Sequence, residues 1–588
     1  MFRREHARLA LALAPVAATA LGLACGSGSG SNFSGGAAGS DGGGDDALVL
    51  KLAGDSGAGT GTGGASVFQP SGPVTDFPKP VLDGTAPTNA PSLFGSVSQG
   101  SSSGGPCIIE PESNVVYPQN WLRPRFRWTP VAGQNLFELR LHVGNQTDDL
   151  LVYSTNTSWT MPLAMWNALR THSPTEAMTL TVRGAVYAGG GITGESLGSS
   201  YPMSIAPVQA TGSIVYWTTS GSSALKGFSP GDESVAQVLV PSQVTETATT
   251  CLGCHTSAPG GEYVGFGIQG MMGWPNAIAL IDQDAGTVGT PPAFLGAGGA
   301  AALAQYDQGI TSFSSAHWAT GDRREITAYD DQGDTMNALR WIDLEATTIA
   351  AATGTLARTG DPNSAGAPSW SHAGKTVAYV STTHFCAGRL GAGCSSNGAA
   401  YNGPDDMGST ADLYTVPYAG GAGGAAIPVP GASDPTLQEY YPVFSPDDAW
   451  LAFDRIPNDL NMYNQSKAEV FVIPSGGGSA TRLAANDPPA CSGKVSPGMT
   501  NSWPKWGPTA LSANGSTYYW LVFSSTRSDA GNPQLYITSV VETGGALATH
   551  GSIYLWNQPS TENNHTPAWD TFKVPPVPPP AKMSPPPP

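Results

Sequence analysis

The chain has 588 residues, enough for two or three domains and a sizeable core. Glycine (75) and proline (50) are abundant while charged residues make up only 12%, which suits short strands joined by turns and argues against long helices. The formal net charge of −18 would repel a nucleic-acid backbone and no basic cluster offsets it, so nucleic-acid binding is excluded.

Residues 1–25 read as an export signal. Arg3, Arg4 and Arg8 precede an apolar run over 9–23, which is too short to span a bilayer comfortably. Leu21-Gly22-Leu23-Ala24-Cys25 resembles a bacterial lipoprotein cleavage box, with Cys25 as the acylated new N-terminus. Gly22 departs from that box, so plain secretory cleavage stays open. Apart from this anchor no stretch is apolar enough for a membrane helix, and the expected location is the periplasm or the outer-membrane surface. Residues 26–104 are mostly Gly, Ser, Ala, Asp and Pro and are expected to form a disordered tether, because they bury too little surface to offset the entropy of ordering.

Alternating apolar runs fill 105–207: Arg125-Phe126-Arg127-Trp128, Leu136-Phe137-Glu138-Leu139-Arg140-Leu141, Leu150-Leu151-Val152-Tyr153 and Leu180-Thr181-Val182-Arg183. The spacing predicts a small β-sandwich with one short helix over 163–169. The order of these strands resembles fibronectin type III/Ig-like modules.

Cys251-Leu252-Gly253-Cys254-His255 is the pattern for covalent attachment of a c-type haem. Each thiol adds to one vinyl group, and the imidazole that follows lies under the ring as a ligand to the iron. A zinc knuckle would need a second ligand pair, which does not follow, and a thioredoxin-type dithiol would open a helix where glycine turns and strands stand here. Of the remaining cysteines, Cys386 and Cys394 close a short Gly-rich loop and are a possible disulfide, while Cys107 and Cys491 have no pairing that the sequence indicates.

From 212 to 570 the sequence repeats. Ala367-Pro368-Ser369-Trp370-Ser371, Tyr441-Pro442-Val443-Phe444-Ser445-Pro446-Asp447-Asp448, Trp503-Pro504-Lys505-Trp506-Gly507-Pro508 and Thr566-Pro567-Ala568-Trp569-Asp570 each introduce strands, and a degraded copy lies at 317–329. These copies resemble the TolB-type propeller repeat. With starts near 255, 316, 368, 442, 504 and 567, the resemblance implies an all-β chain: a six-bladed β-propeller over 208–572 preceded by the sandwich. The last start lacks following chain, and the strands it needs are available at 214–217, 224–226 and 237–240. In this register His255 takes the place of Pro442. Residues 573–588 are expected to be a proline-rich tail.

For the sixth iron ligand the candidates are His565, His317, Met271 and Met272, with His565 preferred because it stands two residues before Pro567 at the entry of the adjoining blade. Gly227-Phe228-Ser229-Pro230-Gly231 matches a nucleophile-elbow pattern, but Pro230 has no N–H for an oxyanion hole, so it reads as a turn. Asp330-Asp331 and Asp405-Asp406 read as turn residues. The expected function is electron transfer through one covalent haem c with an unidentified redox or envelope partner, rather than catalysis. The alternatives are a protein-interaction propeller with a structural haem and a peroxidase-type enzyme.

Overall fold

A computed structural model describes residues 77–95, 104–221, 223–245, 249–268, 275–304, 310–330, 337–383, 410–458, 460, 462 and 464–576. The expected export signal with Cys25, the Cys386/Cys394 pair, Met271, Met272, Asp331 and Asp405-Asp406 all lie outside these residues. The described chain is mostly strand, with a few short helices.

Two sheets form the N-terminal part. One runs Val81–Asp83, Leu150–Ser154, Leu136–Val143, Met178–Ala188, Tyr201–Ile205 and Val115–Tyr117, with Gly191–Leu197 beside Met178–Ala188. The other is Cys107–Glu110, Arg125–Thr129 and Ser158–Thr160. In Arg125–Thr129 the alternation is visible, with Phe126 and Trp128 buried and the arginines turned outward. Phe126 and Trp128 share one core with Phe137, Leu139 and Leu141 of the larger sheet. The expected helix extends from Leu163 to His172, buries Trp166 and Leu169, and is tied down by Trp166 Nε1 donating to the Trp121 carbonyl at 2.8 Å.

The tether expected over 26–104 needs correction at its end. Val81–Asp83 pairs in parallel with Leu150–Ser154, and the helix Ala90–Phe94 buries Ala90 and Phe94. Phe94 packs on Tyr153 and carries the Arg183 guanidinium over its ring. Phe94, with Ala90 beside it and the strand pairing of Val81–Asp83, suffices to fold a segment whose average composition is that of a linker.

Sheets of four, three, three, eight and six strands follow, the eight-stranded one being two units joined by the single parallel pair Ala411 and Gln438. Their first strands are Leu252–Ser257, Ser364–Trp370, Leu437–Phe444 and Asn501–Trp506, while Arg324–Asp330 bridges back to Ser312. The C-terminal strand Asn564–Asp570 pairs antiparallel with Ser213–Thr218, which continues to Ala224–Phe228 and Ala236–Leu239. The last described strand is thereby joined to the first strand after the N-terminal sheets, and no edge is left on Asn564–Asp570 at that side. Asn564–Asp570 also neighbours both Leu252–Ser257 and Asn501–Trp506.

The prolines of the repeat have a structural consequence. Ala367, Tyr441, Trp503 and Thr566 each precede a proline, adopt φ of +41, +53, +60 and +45°, and sit where the ladder register breaks. Proline cannot donate to a ladder, so the strand takes up an extra residue there as a bulge. The bulges turn Tyr441 and Trp503 onto each other, with rings stacked at 3.8 Å.

The sandwich and the sheets share a core: Trp121 lies 5.8 Å from Trp569, and Ile214, Tyr216 and Trp520 belong to the same cluster. A disulfide between Cys107 and Cys491 and a buried Arg527–Glu112 ion pair (2.6 Å) cross the same boundary. The proline-rich tail begins later than 573, because Lys573 N donates to Gly261 O and its Nζ reaches Asp282 at 2.9 Å.

Candidate functional site

The pentapeptide enters the strand Leu252–Ser257, the first of a sheet completed by Tyr263–Ile268 and Asn276–Leu280. Ser257 faces Val264, Thr256 faces Gly265, His255 faces Phe266 and Leu252 faces Ile268, so Gly253 and Cys254 form the bulge. Counted from the hairpin, Ser257 opposite Val264 matches Phe444 opposite Leu451, which puts His255 level with Pro442. The bulge lies one residue earlier than in the proline-bearing copies.

His255 is buried, and its Nε2 lies 3.1 Å from the Val215 carbonyl. A carbonyl only accepts, so Nε2 carries the proton and Nδ1 is left as a buried lone pair without a hydrogen-bond partner. Burial, partly offset by the Val215 carbonyl, pushes the imidazole down to about 4, and it is neutral at pH 7. Phe572 closes over it with ring centres 6.4 Å apart.

Cys254 is a free, half-buried thiol, whereas Cys251 is disulfide-bonded. Burial pushes the Cys254 thiol up to about 11 in spite of the neighbouring Lys505 ammonium, which is itself lowered by burial. Alkylation of Cys254 by iodoacetamide at pH 7.5 should therefore be slower by about two orders of magnitude in the native protein than after denaturation, read by mass spectrometry.

Ser223 fastens this strand to its neighbour. Its Oγ receives the Leu252 N–H (3.0 Å) and the Trp217 indole N–H (2.8 Å) and donates to the Leu252 carbonyl (2.9 Å). Ser223→Ala would strand two buried donors and should cost about 1–3 kcal/mol in chemical denaturation.

His565 lies opposite Trp217 in the closing pair of strands, buried, with its ring 4.7 Å from the indole and Nε2 3.5 Å from Thr219 Oγ1. Burial lowers it to about 4. Trp217 and Ser223 thus link His565 to the Cys251–His255 segment. His317 is not part of this group. It sits in the short helix Ser315–Ala319, between Trp370 and Tyr418, with Nδ1 on Asp322 (2.9 Å) and Nε2 on the Gly374 carbonyl (3.2 Å). The repeat is degraded there because Ser312, not His317, supplies the bridge to the next strand.

Three residues of this neighbourhood were not singled out from sequence. Lys505 had a signal: it stands level with Val443, Ser369 and Ala568, where the other copies carry small or apolar residues. Ser223 and Trp217 had none beyond lying on the strands that complete the last repeat.

The donor types suit a covalent haem, but only if the group is attached before this segment packs as it does here. Cys251 is held in a disulfide and packs with Val215, Leu252 and Phe266, while Cys254 packs against the cluster holding Tyr441 and Trp503, so the two sulfurs face different cores. An extended backbone spreads positions i and i+3 by about 10 Å, against about 5 Å in a helical turn that would present both to one porphyrin edge. His255 would also have to leave the Val215 carbonyl. Among the described residues, no group of three or more His, Cys, Asp and Glu side chains is placed to hold a metal ion.

No family model matches the chain, and no curated protein matches it either. Among solved structures, a prolyl endopeptidase is similar at 12% identity over 58% of this chain and 48% of its own, with a TM-score of 0.31. A thermostable family-43 glycoside hydrolase is similar at 12% identity over 52% of this chain and 95% of its own (TM-score 0.27). Kuenenia stuttgartiensis hydrazine synthase is similar at 11% identity over 60% of this chain and 46% of its own (TM-score 0.24). The chain thus spans about half the length of the endopeptidase, and none of these likenesses carries chemistry over to it.

Proposed function

We propose that the chain is an exported, lipid-anchored six-bladed β-propeller with an N-terminal sandwich, that it carries one covalent haem c on Cys251, Cys254 and His255, and that it transfers electrons. The observation that carries this reading is the donor set itself: two thiols at i and i+3 and an imidazole next to them, at the first strand of a sheet, with Cys254 in a bulge one residue before the place where four other copies carry theirs. Cys251 and Cys254 would hold the group by thioethers, with His255 and His565 the candidate ligands to the iron. Bound there, the group would supply one reversible electron. The chain's own contribution is a dry setting: burial keeps His255 and His565 neutral at pH 7.

The ring is supported by the order of neighbours. Leu252–Ser257, Asn564–Asp570, Asn501–Trp506, Leu437–Phe444, Ser364–Trp370 and Arg324–Asp330 follow one another in contact, and the helix Ala297–Ala304 packs between the first and last of these sheets.

Attachment competes with the Cys251 disulfide and would have to precede the packing of this segment. The test is a denaturing gel of protein made where cytochrome maturation is active. The wild type should keep haem-stained colour, and Cys251→Ala with Cys254→Ala should lose it. A colourless wild type would favour the second reading, which the Cys251 disulfide supports: a partner-binding propeller in which the motif is structural.

A further inference from the structure

Where the sandwich meets the sheets there is a cleft of about 380 Å3, remote in sequence from the Cys251–His255 segment and lined from both sides. Arg125 and Arg127 come from the strand Arg125–Thr129, and Lys494, Arg527 and Asp529 come from the opposite wall. Clefts at such boundaries are where small ligands are most often held. In a chain with only 26 lysines and arginines and a net charge of −18, four cations in one cleft is a concentration.

The acids beneath them are arranged to aim these cations. Glu110, largely buried, takes Arg125 Nε at 2.8 Å, Arg125 Nη2 at 2.9 Å and Arg127 Nη1 at 2.9 Å. Glu112, also buried, takes Arg527. Arg125, Arg127 and Lys494 line the cleft and remain 25, 35 and 32% exposed; Lys494 Nζ donates to the Arg527 and Ser528 carbonyls and keeps one donor for a ligand. The only other acid here is Asp529, 74% exposed, whose carboxylate lies 3.2 Å from Arg127 Nη2 and 3.7 Å from Lys494 Nζ. An exposed carboxylate on two cations is worth little in water and is readily exchanged. The Cys107–Cys491 disulfide joins the strand Cys107–Glu110 to the segment just before Lys494, which fixes the spacing of the walls.

We propose that this cleft binds a small carboxylate ligand, which takes the place of Asp529 between Arg127 and Lys494. Arg127 supplies a planar fork suited to a carboxylate and Lys494 a point charge. The side chains of Ser528, Ser560 and Thr561 at the rim would accept a hydroxylated ligand, so the carboxylate could belong to an acidic sugar or to a simple dicarboxylic acid.

Titrating the full chain with D-glucuronate and with succinate, read by calorimetry at low salt, tests this, with D-glucose as the neutral control. Binding of either acid is expected, and the stronger of the two identifies the source of the carboxylate. Asp529→Asn removes the internal competitor on an exposed side chain and should tighten binding by about threefold to tenfold, while Lys494→Gln should weaken it by about tenfold. The proposal is overturned if neither acid binds the wild type or Asp529→Asn, if glucose binds equally well, or if the two substitutions leave the affinity unchanged.

Discussion

Replacing Glu325 by glutamine should stabilise the protein at pH 8 and remove this residue's share of the loss of stability above pH 4.5. Glu439, Asp412, Asp454 and Asp570, whose carboxyls burial also raises, contribute to the same loss. Glu325 lies on Arg324–Asp330 with no exposed surface, and neither carboxylate oxygen has a hydrogen-bond partner. Burial pushes its carboxyl up to about 8; the adjacent Asn276 amide eases this slightly without closing a hydrogen bond in this geometry. The folded state therefore keeps a proton that the unfolded chain releases above about 4.5. Stability is complete below that value and falls as pH rises through 8, by on the order of 4 kcal/mol. Glutamine has the shape of the protonated acid and nothing to release. His255 and His565, held near 4, work in the other direction: the unfolded chain takes up protons below about 6.5 that the native state refuses, so they erode stability from 6.5 down to 4. Urea unfolding at pH 5, 6.5 and 8 separates the two, because the gain from Glu325→Gln should grow from pH 5 to pH 8 while the histidine contribution is confined below about 6.5. Parallel curves for variant and wild type would contradict the assignment.

Arg527→Ala should cost about 3–5 kcal/mol, because it leaves Glu112 as a buried charge without its partner. Arg527 is 3% exposed and joins both parts of the fold. Its Nη1 reaches Glu112 and Ser552 Oγ, and its Nη2 reaches the Ala485 carbonyl and Asn501 Oδ1. The Ser552 N–H also depends on Glu112, at 2.9 Å. Glu112→Gln keeps most of these contacts and should cost less. Replacing both together, Arg527→Met with Glu112→Leu, should recover part of the loss, since no charge is then left buried. Thermal and chemical unfolding of the three variants measures this, and a cost below about 1 kcal/mol for Arg527→Ala would show that the pair contributes little.

The repeat was legible because proline and aromatic residues mark it in four copies, and Trp370, Phe444, Trp506 and Trp569 all fall in one register. The pairing of Ser213–Thr218 with Asn564–Asp570 could be anticipated because the last copy lacked strands that the beginning had spare. The left-handed turn before each proline could not, since it depends on the neighbouring strand that the bulge serves. Residues 77–95 were hidden by their composition: Val81, Ala90 and Phe94 are few, and only the surface of the sandwich makes them anchors. The Cys107–Cys491 bond spans 384 residues and has no local pattern. At the candidate site the ligand types were written in the sequence, but not that Cys251 and Cys254 would face different cores.

The attachment of haem is tested most directly by the mass of the proteolytic peptide that contains Cys251 to His255, from protein matured where haem attachment is active. The account predicts one peptide carrying one haem with both thiols consumed and no residue alkylated at Cys254 after denaturation. A peptide from that matured protein that carries no haem, with Cys254 fully alkylated after denaturation, would contradict it.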